Sequence, residues 1–302
     1  MTISFKKLTK TFTKPVDFIR LGVTSANQED IYYGHGTDNA WDDMLTLVFS
    51  SLAIPLDSHE SFLMATLSEE ECALLTDRLH ARINKRVPVP YLTKEAYFCD
   101  LSFYVDERVL IPRSPISELI QSQFAPWVDA DQVTRVLDLC TGSGCIAIAC
   151  GYAFPEAIID AVDISKDALA VAQINVEDHG QVDQTNLIES DCFDNVPNVT
   201  YDLIVSNPPY VGAEEMKTLP DEYRHEPTLA LETENNGLSI VEKILKQAHH
   251  YLNDEGVLVV EVGNSEEALI DAYPDVPFTW LDFEAGGHGI FLLTKEQLLE
   301  WF

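Results

Sequence analysis

Apolar residues recur along the chain with two different periods, and the change of period divides it. Over 39–52, Trp41, Met44, Leu45, Val48, Phe49 and Leu52 stand at helical spacing, which predicts an amphipathic helix. Ser68 and Glu71 form the Ser-x-x-Glu signature of a helix start. Cys72, Leu75, Leu79 and Ile83 carry that stripe to about Lys85, and Pro88 and Pro90 stop it. Tyr97-Phe98 and 101–105 flank Cys99-Asp100 and read as a short β-hairpin. Leu110-Ile111-Pro112-Arg113-Ser114-Pro115 is a rigid connector, with a helix expected from Ile116.

From Thr134 the grammar is different. Short apolar runs at 135–139, 158–162, 186–189, 201–206 and 257–262 read as buried strands, with helical patterns at 146–154, 166–177 and 237–252 between them. Strands alternating with helices predict βαβ units, and right-handed crossovers make the sheet doubly wound. Two further runs, 278–283 and 289–294, are close in sequence and should pair as an antiparallel end. The expected fold is α/β: a mostly parallel sheet, with a smaller helical domain before it. The boundary falls between Pro112 and Thr134, so the domains are taken as 1–112, helices with a hairpin linker, and 113–302. Trp127 and Trp280 read as core residues.

Charge narrows the partners. The chain carries 19 Lys and Arg against 50 Asp and Glu, a net −31. Residues 1–115 hold 12 cations against 16 acids, and residues 116–302 hold 7 against 34, a net −27. Generic nucleic-acid binding takes cations on phosphates, and anionic membranes ask the same, so both are expected to be absent. Acidity that only maintains solubility is the plain alternative. The six cysteines include no CxxC pair and no His cluster stands near them, so no structural metal is expected. Lys6, Lys7, Lys10 and Lys14 are not followed by an apolar run of signal-peptide type. No run reaches the ~18 residues of a membrane span. The cytoplasm is the expected compartment.

After the first strand comes Cys140-Thr141-Gly142-Ser143-Gly144-Cys145-Ile146-Ala147, a glycine turn opening a helix. Such a turn lets a ligand approach the backbone, and the helix start supplies free N–H donors. Asp163, 21 residues after Gly142 at the end of the second strand, can accept from both hydroxyls of a ribose. Asp191, ending the third strand, and Cys192 stand where a base would lie. The spacing fits a nicotinamide dinucleotide and S-adenosyl-L-methionine alike. Asp138, one residue before the end of the first strand, favours the second, since a carboxylate there can receive its ammonium group, directly or through water.

The fourth strand runs into Asn207-Pro208-Pro209-Tyr210. In an open parallel sheet, ligands bind beyond the carboxyl ends of the strands, which places Asn207 in the crevice of Gly142 and Asp163. The prolines restrict the backbone. The Asn207 side-chain oxygen and the Pro208 carbonyl are then two fixed acceptors, with the Tyr210 ring beside them. A planar –NH2 group has two donors to match. Acceptors that hold both N–H bonds favour pyramidal nitrogen and offset the positive charge that grows on it during methyl transfer. Amino groups on adenine, on guanine and on a glutamine side chain all fit. The acidic 116–302 region repels nucleic acid and attracts a basic protein.

These motifs resemble the class I methyltransferases that modify glutamine amides in translation proteins. Two branches exist, one acting on release factors and a PrmB-type branch acting on a ribosomal protein. Tyr33-Gly-His-Gly-Thr-Asp-Asn-Ala-Trp-Asp42, Pro90-Tyr-Leu-Thr93 and Phe103-Tyr-Val-Asp-Glu-Arg-Val-Leu-Ile-Pro-Arg-Ser-Pro115 resemble the second branch. The resemblance implies a class I, Rossmann-like methyltransferase fold and methylation of a glutamine in large-subunit ribosomal protein three, a basic protein. It implies that Asn207, Pro208, Pro209 and Tyr210 bind the glutamine. It also implies that Cys140, Thr141, Gly142, Ser143 and Gly144, with Asp163, bind S-adenosylmethionine, and that the 1–112 domain recognises the substrate. The position after Asp191 is an aromatic cofactor contact in the release-factor branch; here it is Cys192. Arg113 is a candidate substrate or cofactor contact, or an anchor of the connector. His35 and Asp38 lie in a glycine loop suited to a protein substrate, though Asp38 also reads as a cap, and Glu261 and Gly263 edge the crevice. Methylation of an RNA or DNA base, and a ribosome-assembly module without turnover, are the competing functions.

Overall fold

The computed structural model describes residues 4–284 and 286–302. It divides into two compact units. One runs up to Ala96 and also takes in Pro220–His225; the other comprises Tyr97–Leu219 and Glu226–Phe302. The expected 112/113 boundary therefore lies inside the second unit, and the first recruits a short segment from far along the chain.

The first unit is helical. Its main helices are Pro15–Gln28, Ala40–Ser51 and Glu69–Lys85. Asn39 caps the second, its side chain accepting from the Asp42 N–H, and Ser68 with Glu71 forms the expected capping box on the third. Their apolar faces meet around Phe18, Ile19, Met44, Leu47, Leu75 and Leu79, all fully or almost fully buried. The buried face of Pro15–Gln28 includes Gly22, Ser25 and Ala26. Small residues there weaken the apolar stripe, which is why periodicity did not reveal that helix.

A hairpin stands at the division, β1 (Ala96–Phe98) and β2 (Leu101–Phe103), and all of it but Ala96 belongs to the second unit. Cys99 and Asp100 both take positive φ, 49° and 62°, the tight turn whose twist suits a two-residue hairpin. The main sheet follows with β3 (Arg135–Leu139), β4 (Ile158–Asp163), β5 (Thr185–Glu189), β6 (Tyr201–Ser206), β7 (Leu252–Glu261), β8 (Thr279–Trp280) and β9 (Ile290–Thr294). Their order is β5-β4-β3-β6-β7-β9-β8. The first five are parallel, and β9 pairs antiparallel with both β7 and β8. Alternate strand residues supply two cores, one through Val136, Ile159 and Val205 and the other through Leu137, Ile204 and Leu258. A sheet covered on both faces explains the continuous apolar runs.

Two boundaries moved, and one expected core residue is exposed. The helix expected over 237–252 is Ser239–Gln247 with a 3-10 turn at Ala248–His250, because Leu252 already pairs with Tyr201 in the sheet. The 278–283 strand shrinks to the two residues that reach β9. Trp127 is 42% exposed rather than core, whereas Trp280 packs half-buried on Phe278 and Phe291. Among the described residues, no helix is long and apolar enough to cross a membrane.

Candidate active site

The sheet brings the candidate residues to one edge. Leu139 is in register with both Val162 and Ser206, and Asp163 with Glu189. Cys140, Asp163, Ser190 and Asn207 therefore leave adjacent strands at the same end. The chain winds outward from β3 through β4 to β5, then returns to β6 on the other flank of β3, and open α/β sheets bind ligands at such a reversal. A cavity of about 360 Å³ opens there, lined by Cys140, Gly142, Asp163, Asp191, Cys192 and Asn207 among others.

The glycine turn is a strained piece of backbone held by carboxylates. Cys140, Gly142 and Gly144 have positive φ of 61°, 55° and 81°. A Cβ on Gly142 would meet nothing within 4 Å, whereas one on Gly144 would press on the Ala172 Cβ at 3.2 Å. Gly142 thus keeps the cavity floor open, and Gly144 lets the helix Cys145–Ala153 pack on its neighbour. Asp163 Oδ2 accepts from the Gly142 N–H at 2.9 Å, and its Oδ1 from the Ser165 N–H at 2.8 Å. Burial pushes the Asp163 carboxyl up, against these hydrogen bonds.

Asp138 is placed differently from the expectation of a ligand contact. It is fully buried and does not line the cavity. Its Oδ2 accepts from the Thr141 hydroxyl at 2.5 Å and the Ala147 N–H at 3.1 Å, so it ties the turn to the helix. Its Oδ1 has no hydrogen-bond partner among the described residues. Burial raises its carboxyl to about 7. Thr141, Ser143 and Gly144 also stand outside the lining. Asn175 Nδ2 donates to the Ser143 carbonyl at 2.8 Å and to the Tyr104 carbonyl at 3.0 Å, a link that one asparagine in a helix did not advertise in the sequence.

At the far wall, Cys192 is buried, has φ 50°, and burial pushes its thiol up to about 12. The Cys140 thiol is raised for the same reason. Both are neutral walls, not nucleophiles. Asp191 pairs with Lys243 at 2.9 Å. Part of the lining was not foreseen: Ile164, Ala168, Leu229 and Ile240 add apolar surface, and Arg108, Val109 and Leu110 enter from the segment that leads into the connector. Ala168 and Ile240 belong to helices whose pattern shows that they exist but not which side chains turn to the cavity, and the rest stand outside α-helices and strands, so only the fold reveals them.

The tetrapeptide splits. Asn207 and Pro209 line the cavity, whereas Pro208 is buried between them and Tyr210 stands outside the lining. The Asn207 side chain makes no hydrogen bond with any described residue, so its acceptor is available. Tyr210 is fixed from behind. Its hydroxyl donates to Glu261 Oε1 at 2.9 Å, Ser114 donates to Glu261 Oε2 at 2.5 Å, and Ser265 donates to the Tyr210 carbonyl at 2.7 Å. Burial raises the Glu261 carboxyl. Arg113 is likewise an anchor: its Nη1 and Nη2 donate to Glu226 at 2.6 and 2.8 Å, which takes its fork away from the cavity. In the first unit, His35 is buried, and Asp38 and Asp42 both accept from Asn39 Nδ2.

Residues 119–221 match the methyltransferase small domain model. A ribosomal protein uL3 glutamine methyltransferase from Francisella tularensis is 46% identical over 286 residues, 94% of this chain and 91% of that one. One of the same description from Neisseria meningitidis is 46% identical over 298 residues, 98% of each chain. A solved methyltransferase from Pyrococcus furiosus is 17% identical, with a TM-score of 0.48 over 76% of this chain and 99% of that one. With nearly half its residues identical from end to end, the chain belongs to the family of ribosomal protein uL3 glutamine methyltransferases.

Proposed function

We propose that this chain transfers a methyl group from S-adenosylmethionine to the side-chain amide nitrogen of a glutamine in ribosomal protein uL3. The carrying observation is that Asn207, with its side-chain acceptor uncommitted, lines one cavity with Gly142 and Asp163. The reading also draws on the relatives' shared description. It places the chain's work in the cytoplasm, where ribosomal proteins are made, on a basic protein drawn to an acidic surface.

The cavity suits S-adenosylmethionine on observations of its own. The space over Gly142 is clear of any atom a Cβ would meet, so a ligand can lie on the turn. Asp163 keeps acceptor capacity beside its two backbone donors, enough for a ribose. Apolar Ile164, Leu229 and Ile240 offer a sandwich for a base. The Asp138 Oδ1 is an acceptor without a partner among the described residues, on a carboxylate that holds Thr141 of the turn. When bound, the cofactor supplies a methyl group on a positively charged sulfur.

The protein's part is to bind and orient the amide. Asn207 Oδ1 accepts one N–H of the glutamine and the Pro208 carbonyl the other, so the nitrogen lone pair is exposed. Two acceptors aimed at the nitrogen stabilise the charge it gains more than they stabilise the neutral amide, which lowers the barrier. Pro209 and the Glu261–Tyr210–Ser265 bonds keep the acceptors in place. The surplus proton leaves to water after transfer. Arg113 and Asp138 hold the frame.

Asn207→Ala is expected to abolish methyl transfer to uL3 while leaving cofactor affinity within a few-fold, measured by labelled-methyl incorporation and calorimetry. Transfer at the parental rate overturns the role of Asn207. Label appearing on nucleic acid and not on the ribosomal protein overturns the substrate. Mass spectrometry of ribosomal proteins from a strain lacking this chain should find one glutamine peptide lighter by a methyl group.

A further inference from the structure

The proposed cofactor carries three charges, and this cavity is built for two of them. Its sulfonium and ammonium suit acidic walls; its carboxylate does not. Among the described residues that line the cavity, Asp163, Asp191, Glu232 and Glu234 are acidic, and Arg108 is the one cation. A carboxylate brought out of water among four acids takes a strong penalty unless donors replace its hydration.

Arg108 is oriented in advance. Its Nε donates to Asp106 Oδ1 at 2.8 Å, and its Nη2 to Asp106 Oδ2 at 2.6 Å. The Asp106 carboxylate also accepts from the Arg108 backbone N–H at 3.1 Å and the Tyr104 hydroxyl at 3.0 Å. The whole segment is tied to the cavity floor: the Tyr104 N–H donates to Asn175 Oδ1 at 2.7 Å, and Asn175 holds Ser143 of the glycine turn. A guanidinium has five N–H donors. Asp106 uses one on Nε and one on Nη2, and the Tyr104 hydroxyl interacts with the guanidinium as well. Five donors exceed what these partners take, and an end-on pair, one N–H from Nη1 and one from Nη2, is the face that takes a carboxylate two-handed.

We infer that Arg108 is the anion subsite of the cavity and binds the carboxylate of the cofactor's methionine part. The inference rests on the S-adenosylmethionine reading above. Asp106 is a positioning residue: it holds the guanidinium by one side so that the other faces the ligand. A lysine at this position keeps the charge and loses both forks.

The test is calorimetry on the full chain with two ligands, S-adenosylmethionine and its decarboxylated analogue. A charge-assisted contact of this kind is worth about ten- to a hundredfold in affinity, so the parental chain should bind the analogue weaker by that factor. Arg108→Met combined with Asp106→Asn, which leaves no unpaired carboxylate, should lose a similar factor for S-adenosylmethionine and then bind both ligands within about threefold. Arg108→Lys should fall between. Equal or tighter binding of the analogue by the parental chain overturns the inference without need of any variant. So does undiminished discrimination in the double variant. Failure of the parental chain to bind S-adenosylmethionine at all overturns the cofactor reading, and the inference with it.

Discussion

Glu222 and Glu226 stand four residues apart on one irregular stretch, and each is buried against an arginine, but in different units. Glu222 belongs to the helical unit. Its Oε1 accepts from the Tyr32 N–H at 3.2 Å and lies 3.4 Å from Arg82 and 3.5 Å from Arg86. Arg82, itself 2% exposed, gives its Nε to Asp43 at 2.7 Å and its Nη2 to the Tyr32 carbonyl. Glu226 belongs to the sheet unit and takes a two-handed bond from Arg113, plus the Ile111 N–H at 3.1 Å. The first network secures a borrowed segment in a helical core. The second secures the start of the Pro227–Glu234 wall beside the cavity. Similar chemistry therefore serves fold integrity in one unit and site geometry in the other.

The sharpest way to break this contrast is to remove each arginine. Arg82→Ala takes the guanidinium from two buried acids, leaving Asp43 the Thr37 hydroxyl and Glu222 the Tyr32 N–H and Arg86, and should cost about 3 kcal/mol in denaturant unfolding. Arg113 is 23% exposed, so water relieves part of the loss and Arg113→Ala should cost less, about 2–3 kcal/mol. Cofactor affinity should order them the other way. Arg113→Ala should weaken binding several-fold by freeing the cavity wall, and Arg82→Ala should leave it near parental under conditions where the variant is folded. Calorimetric affinities in the same order as the stabilities would erase the distinction.

Asp138 sharpens the comparison from the sheet side. Its folded-state pKa, about 7, lies above the ordinary carboxylate value of 3.8. The native chain thus binds that proton more tightly than the unfolded chain does. The destabilising contribution is absent below about pH 4, grows as pH rises, and is complete above pH 7. Asp138→Asn should therefore raise the melting temperature most at pH 8 and little at pH 4, an effect of at most a few kcal/mol. A melting difference that is flat in pH would contradict a buried, protonatable carboxyl. The smallest effects belong to the helix caps. Asn39→Ala and Ser68→Ala in the helical unit should each cost about 1 kcal/mol in urea unfolding, without changing transfer per folded molecule.

Legibility differed between the units for the same reason. The parallel strands are visible because both faces of that sheet are covered, so they carry apolar runs such as Val136-Leu137 and Leu203-Ile204-Val205. The Ser68 capping box is visible because it needs specific residues at a fixed spacing. Helix Pro15–Gln28 escaped because Gly22 is in contact with Met44, where side-chain bulk would not fit. The role of Glu226, Asn175 and Glu261 escaped because an acid or amide looks the same in the sequence whether it faces water or a buried partner remote along the chain. Arg108 was quoted within a motif and given no role, since its distinction is to be the cation among acids that are remote in sequence.

Local chemistry decided much on its own. The order of strands and helices, the glycine turn, the proline-braced Asn207 and the lopsided charge are properties of neighbouring residues, and neighbours are what a chain written in one dimension records. Which acids are buried, that Asp138 braces the turn from beneath and that Arg113 turns to Glu226 were settled only when the chain closed on itself. Burial and long-range pairing depend on what stands across a gap in space, and no stretch of sequence contains both sides of that gap.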